Sequence, residues 1–142
     1  MKIRLVSAGR DKGPTAELAQ EYAERIRRFA ELEILELRAQ GPLREAQSLL
    51  GKVRGELWAL DERGSLLTSP QLAHRLARLR DSSQPLTLCI GGDEGLAQDV
   101  REQAKLVWSL SPLTLPHRLA RVVVLEQLYR AFEILHGGPY HK

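Results

Sequence analysis

Five short apolar runs, Lys2–Ala8, Leu32–Arg38, Glu56–Asp61, Leu86–Ile90 and Leu106–Ser109, alternate along the chain with stretches of helical periodicity. Strands that alternate with helices are joined as parallel neighbours by crossover helices. The order therefore predicts an α/β fold: a mostly parallel sheet of five to six strands with helices on both faces. Leu86–Ile90 ends in Gly91-Gly92, as a strand buried on both faces would at the centre of such a sheet. In open sheets of this kind ligands bind at the carboxyl ends of the strands.

The intervening helices are of unequal clarity. Leu18, Ala19, Tyr22, Ala23, Ile26 and Phe29 recur at three- and four-residue spacing behind Thr15, a candidate cap. Leu43–Val53 is weaker and is interrupted by Gly51, whereas Ser69-Pro70 reads as an N-cap with proline at the first helical position, followed by Leu72, Leu76 and Leu79. Gly95–Ala104 has a helical pattern, and the last helix, from Pro116 to about Leu135, is apolar on nearly every face. One small domain offers one core side to such a helix, so its second face is expected to be covered by another copy, as a homodimer through this helix.

At 142 residues the chain is expected to form one domain, 1–142, with no linker or repeat dividing it. No apolar run approaches the ~18 residues of a membrane helix, and MKIRLVSAGR holds too few apolar residues for a secretory leader. Cys89, the one cysteine, cannot make an internal disulfide, and in an apolar strand where nothing favours a thiolate it is expected to be a poor nucleophile. A cytoplasmic location fits. The net charge of +3 is too mild for a dedicated nucleic-acid coat protein, but three of the four histidines and a cluster of arginines crowd the segment from His117 onward.

Three segments are candidates for a site. Ile90–Gly95, IGGDEG, is either a plain strand-to-helix turn or a place where backbone N–H groups meet a ligand, and it matches neither the phosphate loop nor the dinucleotide fingerprint. Ser109–His117, SLSPLTLPH, is either a rigid connector or a purine pocket: Pro112 and Pro116 free nearby main-chain groups from sheet pairing, among leucines that could wall an aromatic ring. His136–Lys142, HGGPYHK, is either a frayed end or a turn returning Tyr140 and His141 to the protein. His136 and His141 lack a third ligand at helical spacing, so no metal site is expected. Glu126 lies in an apolar stretch and needs a partner, with Arg130 and Arg121 the candidates.

IGGDEGL, WSLSPLTLPHRLARVVVLEQLYRAF and GGPYHK together resemble the ribosomal RNA large-subunit methyltransferase H family of the SPOUT class, over essentially the whole chain. Departures are Asp93, where relatives often carry a neutral residue, Gly138 and Pro139 in the tail, and a slightly shorter N-terminal half. The resemblance implies a C-terminal deep trefoil knot, and S-adenosylmethionine as methyl donor held by Leu60, Gly91, Leu110, Ser111, Pro112, Leu113, Thr114 and Leu115. It implies N3-methylation of a pseudouridine in helix 69 of 23S ribosomal RNA within the 70S ribosome, by a homodimer that engages neither DNA nor membrane. Alternatives are a SPOUT enzyme acting on transfer RNA and a ribosome-binding factor without catalysis.

An imide N3 must lose its proton before or during transfer. His141 is the expected acceptor of that proton, Arg121 or Arg130 the stabiliser of the resulting charge, and Tyr140 a partner of the base. An arginine alone could also suffice. Arg25, Arg27, Arg28 and Arg118 are assigned to phosphate contacts, against a solvated helix face for the first three.

Overall fold

The computed structural model describes residues 1–142. Ten elements follow one another: β1 (Lys2–Ala8), α1 (Pro14–Ile26), β2 (Glu31–Leu37), α2 (Pro42–Gly51), β3 (Glu56–Leu66), α3 (Ser69–Asp81), β4 (Leu86–Ile90), α4 (Gln98–Gln103), β5 (Leu106–Ser109) and α5 (His117–Leu135). The strands form one sheet in the order β2-β1-β4-β3-β5, every pair parallel. The α/β expectation holds, at five strands.

Side-chain alternation decides which helix covers which face. Ile3 and Leu5 of β1 join Ala19, Ala23 and Ile26 of α1, Leu72 and Leu76 of α3, and Leu125, Leu128 and Phe132 of α5 in the larger core. Val6 points the other way, into a smaller core with Ala46 and Leu49 of α2 and Val100 of α4. All five residues of β4 are buried, which is why that run carries no charge.

Several boundaries differ from the sequence expectation, each for a local reason. Thr15 does not cap α1. Gly13 is the N-cap, Pro14 opens the helix, and the Thr15 hydroxyl donates to the Asp11 carboxylate. The cap of α3 is Thr68 rather than Ser69: its Oγ1 accepts from Gln71 N at 3.2 Å, and Gln71 Oε1 accepts from Thr68 N at 2.8 Å. Helix α4 begins at Gln98, not Gly95, because Gly95 N donates to Gly92 O at 3.0 Å and Gly95 takes φ +79°, a left-handed conformation that cannot start a helix. Strand β3 runs past Asp61 to Leu66: Leu60 and Ser65 both pair with Trp108, so residues 61–64 bulge out and the ladder then resumes.

Helix α5 is covered from more sides than expected. It packs against α1 and α3 as well as the sheet, and Ala120, Val122, Val124, Leu125, Leu128, Tyr129, Ala131 and Phe132 are all buried within the chain. The second face of α5 therefore needs no other copy to cover it, contrary to expectation, because α1 and α3 supply that cover. Leu119 of α5 and Leu18 of α1 remain apolar and exposed, at 47% and 41%.

Candidate active site

The ends of β3, β4 and β5 lie side by side, and the loops leaving them enclose a cleft of about 310 Å³, at the lower end of the range for small-molecule sites. Leu60, Gly91, Leu110, Ser111, Leu113, Thr114 and Leu115 line it, seven of the eight residues expected to hold a ligand; Pro112 does not face it. The glycine turn and the proline-bounded loop, singled out separately in the sequence, thus line one cleft.

The cleft is shaped by backbone in close approach. A Cβ on Gly91 would lie 2.3 Å from the Gly95 carbonyl carbon, and one on Gly64 would lie 2.4 Å from Val107 O. No other residue fits either position. Ser109 Oγ lies 3.0 Å from Glu62 O and 2.9 Å from Ser111 O, and Leu113 N donates to Ser111 Oγ at 3.0 Å. The Thr114 hydroxyl donates to the Glu62 carboxylate, tying the third loop to the first. With these bonds made, the main-chain N–H groups of Leu110, Thr114 and Leu115 have no acceptor within the chain.

Charged groups missed in the sequence ring the mouth. Asp61 accepts from the Arg63 main chain at 2.8 Å and from its guanidinium at 3.1 Å, with Arg101 3.5 Å away. The Arg63 hydrogen bond, aided by the Arg101 charge, holds the Asp61 carboxyl below the ordinary range. His117, at the start of α5, lines the cleft with Nδ1 3.3 Å from Asp93 Oδ1. Cys89 is inert as expected, its thiol pushed up to about 12 by burial. No group of three His, Cys, Asp or Glu side chains is placed to hold a metal ion.

The tail is docked rather than frayed. Arg130 Nε and Nη2 donate to Glu126 Oε1 at 2.9 and 2.6 Å, the Tyr140 hydroxyl donates to the same oxygen at 3.0 Å, and Arg130 Nη1 lies 3.1 Å from His141 Nδ1. The Arg130 guanidinium stands 4.8 Å over the Tyr140 ring, which meets Tyr129 edge-on at 4.7 Å. Three of the four expected catalytic residues, Arg130, Tyr140 and His141, are thereby brought together.

Arg121 is not among them. It precedes Arg130 by nine residues, about two and a half helical turns, and so faces the opposite side of α5. Its guanidinium bonds Glu36 at 2.9 Å and approaches Asp11 at 3.9 Å, which leaves Arg130 as the partner of Glu126. Nor does the tail line the cleft of its own chain. Arg130 lies ten residues beyond Ala120, a lining residue, or about 15 Å along the helix. Of the arginines assigned to phosphate, Arg25 bonds Glu21 at 2.7 Å, Arg27 donates to Leu32 O at 3.3 Å, and Arg118 lies 3.7 Å from Asp11.

A family model described as "Predicted SPOUT methyltransferase" matches residues 1–141. The ribosomal RNA large subunit methyltransferase H of Anaeromyxobacter sp. (strain Fw109-5) is 42% identical over 153 aligned positions that span 100% of both chains. Its namesake from Gloeobacter violaceus is 44% identical over 99% of both. Among solved structures, the SpoU methyltransferase AviRb from Streptomyces viridochromogenes, crystallised with AdoMet, superposes with a TM-score of 0.55 over 97% of this chain and 59% of its own at 14% identity. That likeness is one of fold.

Proposed function

Because the chain belongs to the SPOUT methyltransferase family, we propose that it uses S-adenosylmethionine to methylate large-subunit ribosomal RNA, at N3 of a pseudouridine in helix 69 of the 23S molecule within the 70S ribosome. The single observation that carries this is the meeting of three loops at one cleft with unpaired main-chain N–H groups between apolar walls. The cleft's chemistry fits the donor. Leu60, Leu110, Leu113 and Leu115 suit the faces of an adenine, the free N–H groups of Leu110, Thr114 and Leu115 its edge, and the Glu62 carboxylate can accept from ribose hydroxyls. Gly91, Ser111 and Pro112 complete this set, Gly91 by letting the backbone approach and Pro112 by fixing the loop.

When bound, the donor supplies a methyl group already activated by its sulfonium. The chain's task is then to align the acceptor nitrogen, exclude water and stabilise the charge left as the imide proton departs. Arg130 is the cation for that charge, with Tyr140 and His141 beside the base. Arg121, 7% exposed and engaged by Glu36, is a positioning residue that anchors α5 to β2.

The protein acts as one SPOUT domain, 1–142, in the cytoplasm, as a homodimer in which the tail of one copy faces the cleft of its partner. The separation of tail and cleft within one chain supports this arrangement, as do exposed Leu18 and Leu119, which suit the seam. A deep trefoil knot is part of the same reading; the bonds of Ser109 and Thr114 to Glu62 and the contact of Gly64 with Val107 bind the loops it would interlace. Arg25, Arg28 and Arg118 contact phosphates of the RNA, and neither DNA nor membrane is engaged.

The test is transfer of labelled methyl from S-adenosylmethionine to ribosomes from a strain lacking this protein, followed by mass mapping of the RNA. Label in one pseudouridine of the large-subunit RNA is expected. Label confined to transfer RNA, or donor binding with no transfer to ribosomes, would overturn the proposal.

A further inference from the structure

We infer that Arg130 locks His141 as the neutral imidazole protonated at Nε2, so that His141 serves methyl transfer as a hydrogen-bond donor to a carbonyl oxygen of the acceptor base and not as its proton acceptor. The inference rests on the function proposed above and reverses the role expected for His141 from sequence.

A guanidinium has five N–H groups and no lone pair to offer, so the 3.1 Å contact between Arg130 Nη1 and His141 Nδ1 requires Nδ1 to be the acceptor. A neutral ring whose Nδ1 accepts carries its proton on Nε2. Nε2 then donates, and Nδ1, the one lone pair able to take up a proton, is already engaged by a cation. Protonating it would set two positive groups 3.1 Å apart and destroy the bond.

No neighbour takes over as base. Glu126 Oε1 accepts three bonds, from Arg130 Nε, Arg130 Nη2 and Tyr140 Oη, and Oε2 accepts from Gln127 Nε2 at 2.7 Å. The other titratable groups facing the cluster are Tyr129, Arg130 and Glu133 on α5, with Glu133 Oε1 accepting from the Tyr129 hydroxyl at 2.8 Å, and Tyr22 and Arg25 on α1. Burial, with hydrogen bonds to Tyr22 and Glu126, raises the Tyr140 phenol above its ordinary range, and the Glu133 hydrogen bond does the same for Tyr129. Both phenols keep their protons. With both phenol protons given to carboxylates, the cluster offers a substrate the remaining N–H groups of Arg130 and the His141 Nε2–H, the make-up of an oxyanion site.

The chemistry balances without a protein base. The N3–H proton passes to hydroxide or another solvent base, and the negative charge spreads onto the two flanking carbonyls, where Arg130 and the His141 Nε2–H stabilise it. The N3 lone pair then forms the bond to the methyl carbon, and the electron pair of the carbon–sulfur bond leaves with sulfur, giving a neutral thioether.

Two measurements test this. Nitrogen-15 spectra of the intact protein labelled at histidine, with the His141 signals assigned by their loss in His141→Gln, are expected to show a protonated Nε2 and an unprotonated Nδ1 at neutral pH. A protonated Nδ1, or a doubly protonated ring, would overturn the proposal without reference to activity. In methyl transfer to ribosomes, the glutamine amide can place an N–H near the position of Nε2 but cannot act as a base. His141→Gln is expected to lose no more than about fivefold in turnover and to keep the shape of the wild-type pH profile, whereas His141→Ala loses about a hundredfold, the usual effect of removing one such donor. Both variants are checked for unchanged donor affinity by calorimetry. Equal loss in the two variants, with an acidic limb of the wild-type profile vanishing in His141→Gln, would make His141 the base and sink the inference. Wild-type protein that leaves ribosomes unmethylated would overturn the proposed function instead, a result the spectra alone would not give.

Discussion

A Cβ on Gly91 would sit 2.3 Å from the carbonyl carbon of Gly95, a backbone atom that cannot swing aside. Gly91→Ala must push the turn apart and with it the floor of the cleft. Donor affinity, measured by calorimetry, is expected to fall at least about tenfold, or ~1.4 kcal/mol, while the circular dichroism of the folded chain stays near that of wild type. An unchanged affinity would mean the turn is no part of the donor site. Asp11 gives a prediction in pH. The Thr15 hydrogen bond, then the Gly13 N–H and the Arg121 and Arg118 charges, hold its carboxyl below the ordinary 3.8, against some opposing desolvation. A depressed folded-state value stabilises the fold above the unfolded value and loses that effect as pH falls through the folded one. The melting temperature of Asp11→Asn should therefore lie below that of wild type at pH well above 3.8, and the gap should close as the pH falls past 3.8 and through the lowered folded-state value. A constant gap would show that Asp11 acts by shape alone. Residues of these two kinds differ in how they announce themselves. Gly91 and the proline-bounded loop are legible in sequence because demands on the backbone leave glycine and proline behind. Glu62, Arg101 and His117 are not, because a polar group on a solvated turn or helix end has the same composition as one at the mouth of a site.

At the scale of elements, every strand and helix is legible from periodicity, and the errors sit at ends where side-chain bonds or register decide. Strand β3 is the instructive case. Glu62-Arg63-Gly64-Ser65 reads as a terminating turn, and it does turn, but as a bulge after which Ser65 takes the place opposite Trp108 already used by Leu60. Local composition cannot reveal that a ladder resumes. That excursion builds the wall carrying Asp61 and Glu62, so the misread boundary and the unseen site residues have one cause. The shift of the α3 cap from Ser69 to Thr68 is likewise invisible to composition, since either hydroxyl could cap, and the reciprocal bond from Gln71 chooses Thr68. Removing it is a direct test. Thr68→Ala should cost about 1 kcal/mol in urea unfolding, with Ser69→Ala nearer zero once its separate 2.6 Å bond to Gln127 is allowed for by a Gln127→Ala background. Equal losses in that background would place the cap at Ser69 after all.

At the scale of the whole molecule, the one sequence argument that fails is the reason given for a dimer. A helix apolar all round needs neighbours on more than one side, but a face of the sheet that also carries α1 and α3 provides them within one chain. What replaces that argument is functional geometry: the cleft lies at the start of α5, and Arg130, Tyr140 and His141 lie at its far end. If each working site takes its cleft from one copy and its tail from the other, two differently damaged chains can repair one another. Gly91→Ala damages the cleft, Arg130→Ala the tail, and with donor held well below the weakened dissociation constant of Gly91→Ala each variant alone should transfer little methyl. In a mixed dimer one site joins both defects and is dead, while the other joins the sound cleft of the Arg130→Ala chain to the sound tail of the Gly91→Ala chain. Refolding the two variants together in equal amounts yields mixed dimers as half the population, so methyl transfer should recover to about a quarter of the wild-type level. The recovery should vanish when either variant is in large excess. Were cleft and tail to serve the same chain, every copy in the mixture would carry one defect in its own site, and mixing would restore nothing at any ratio.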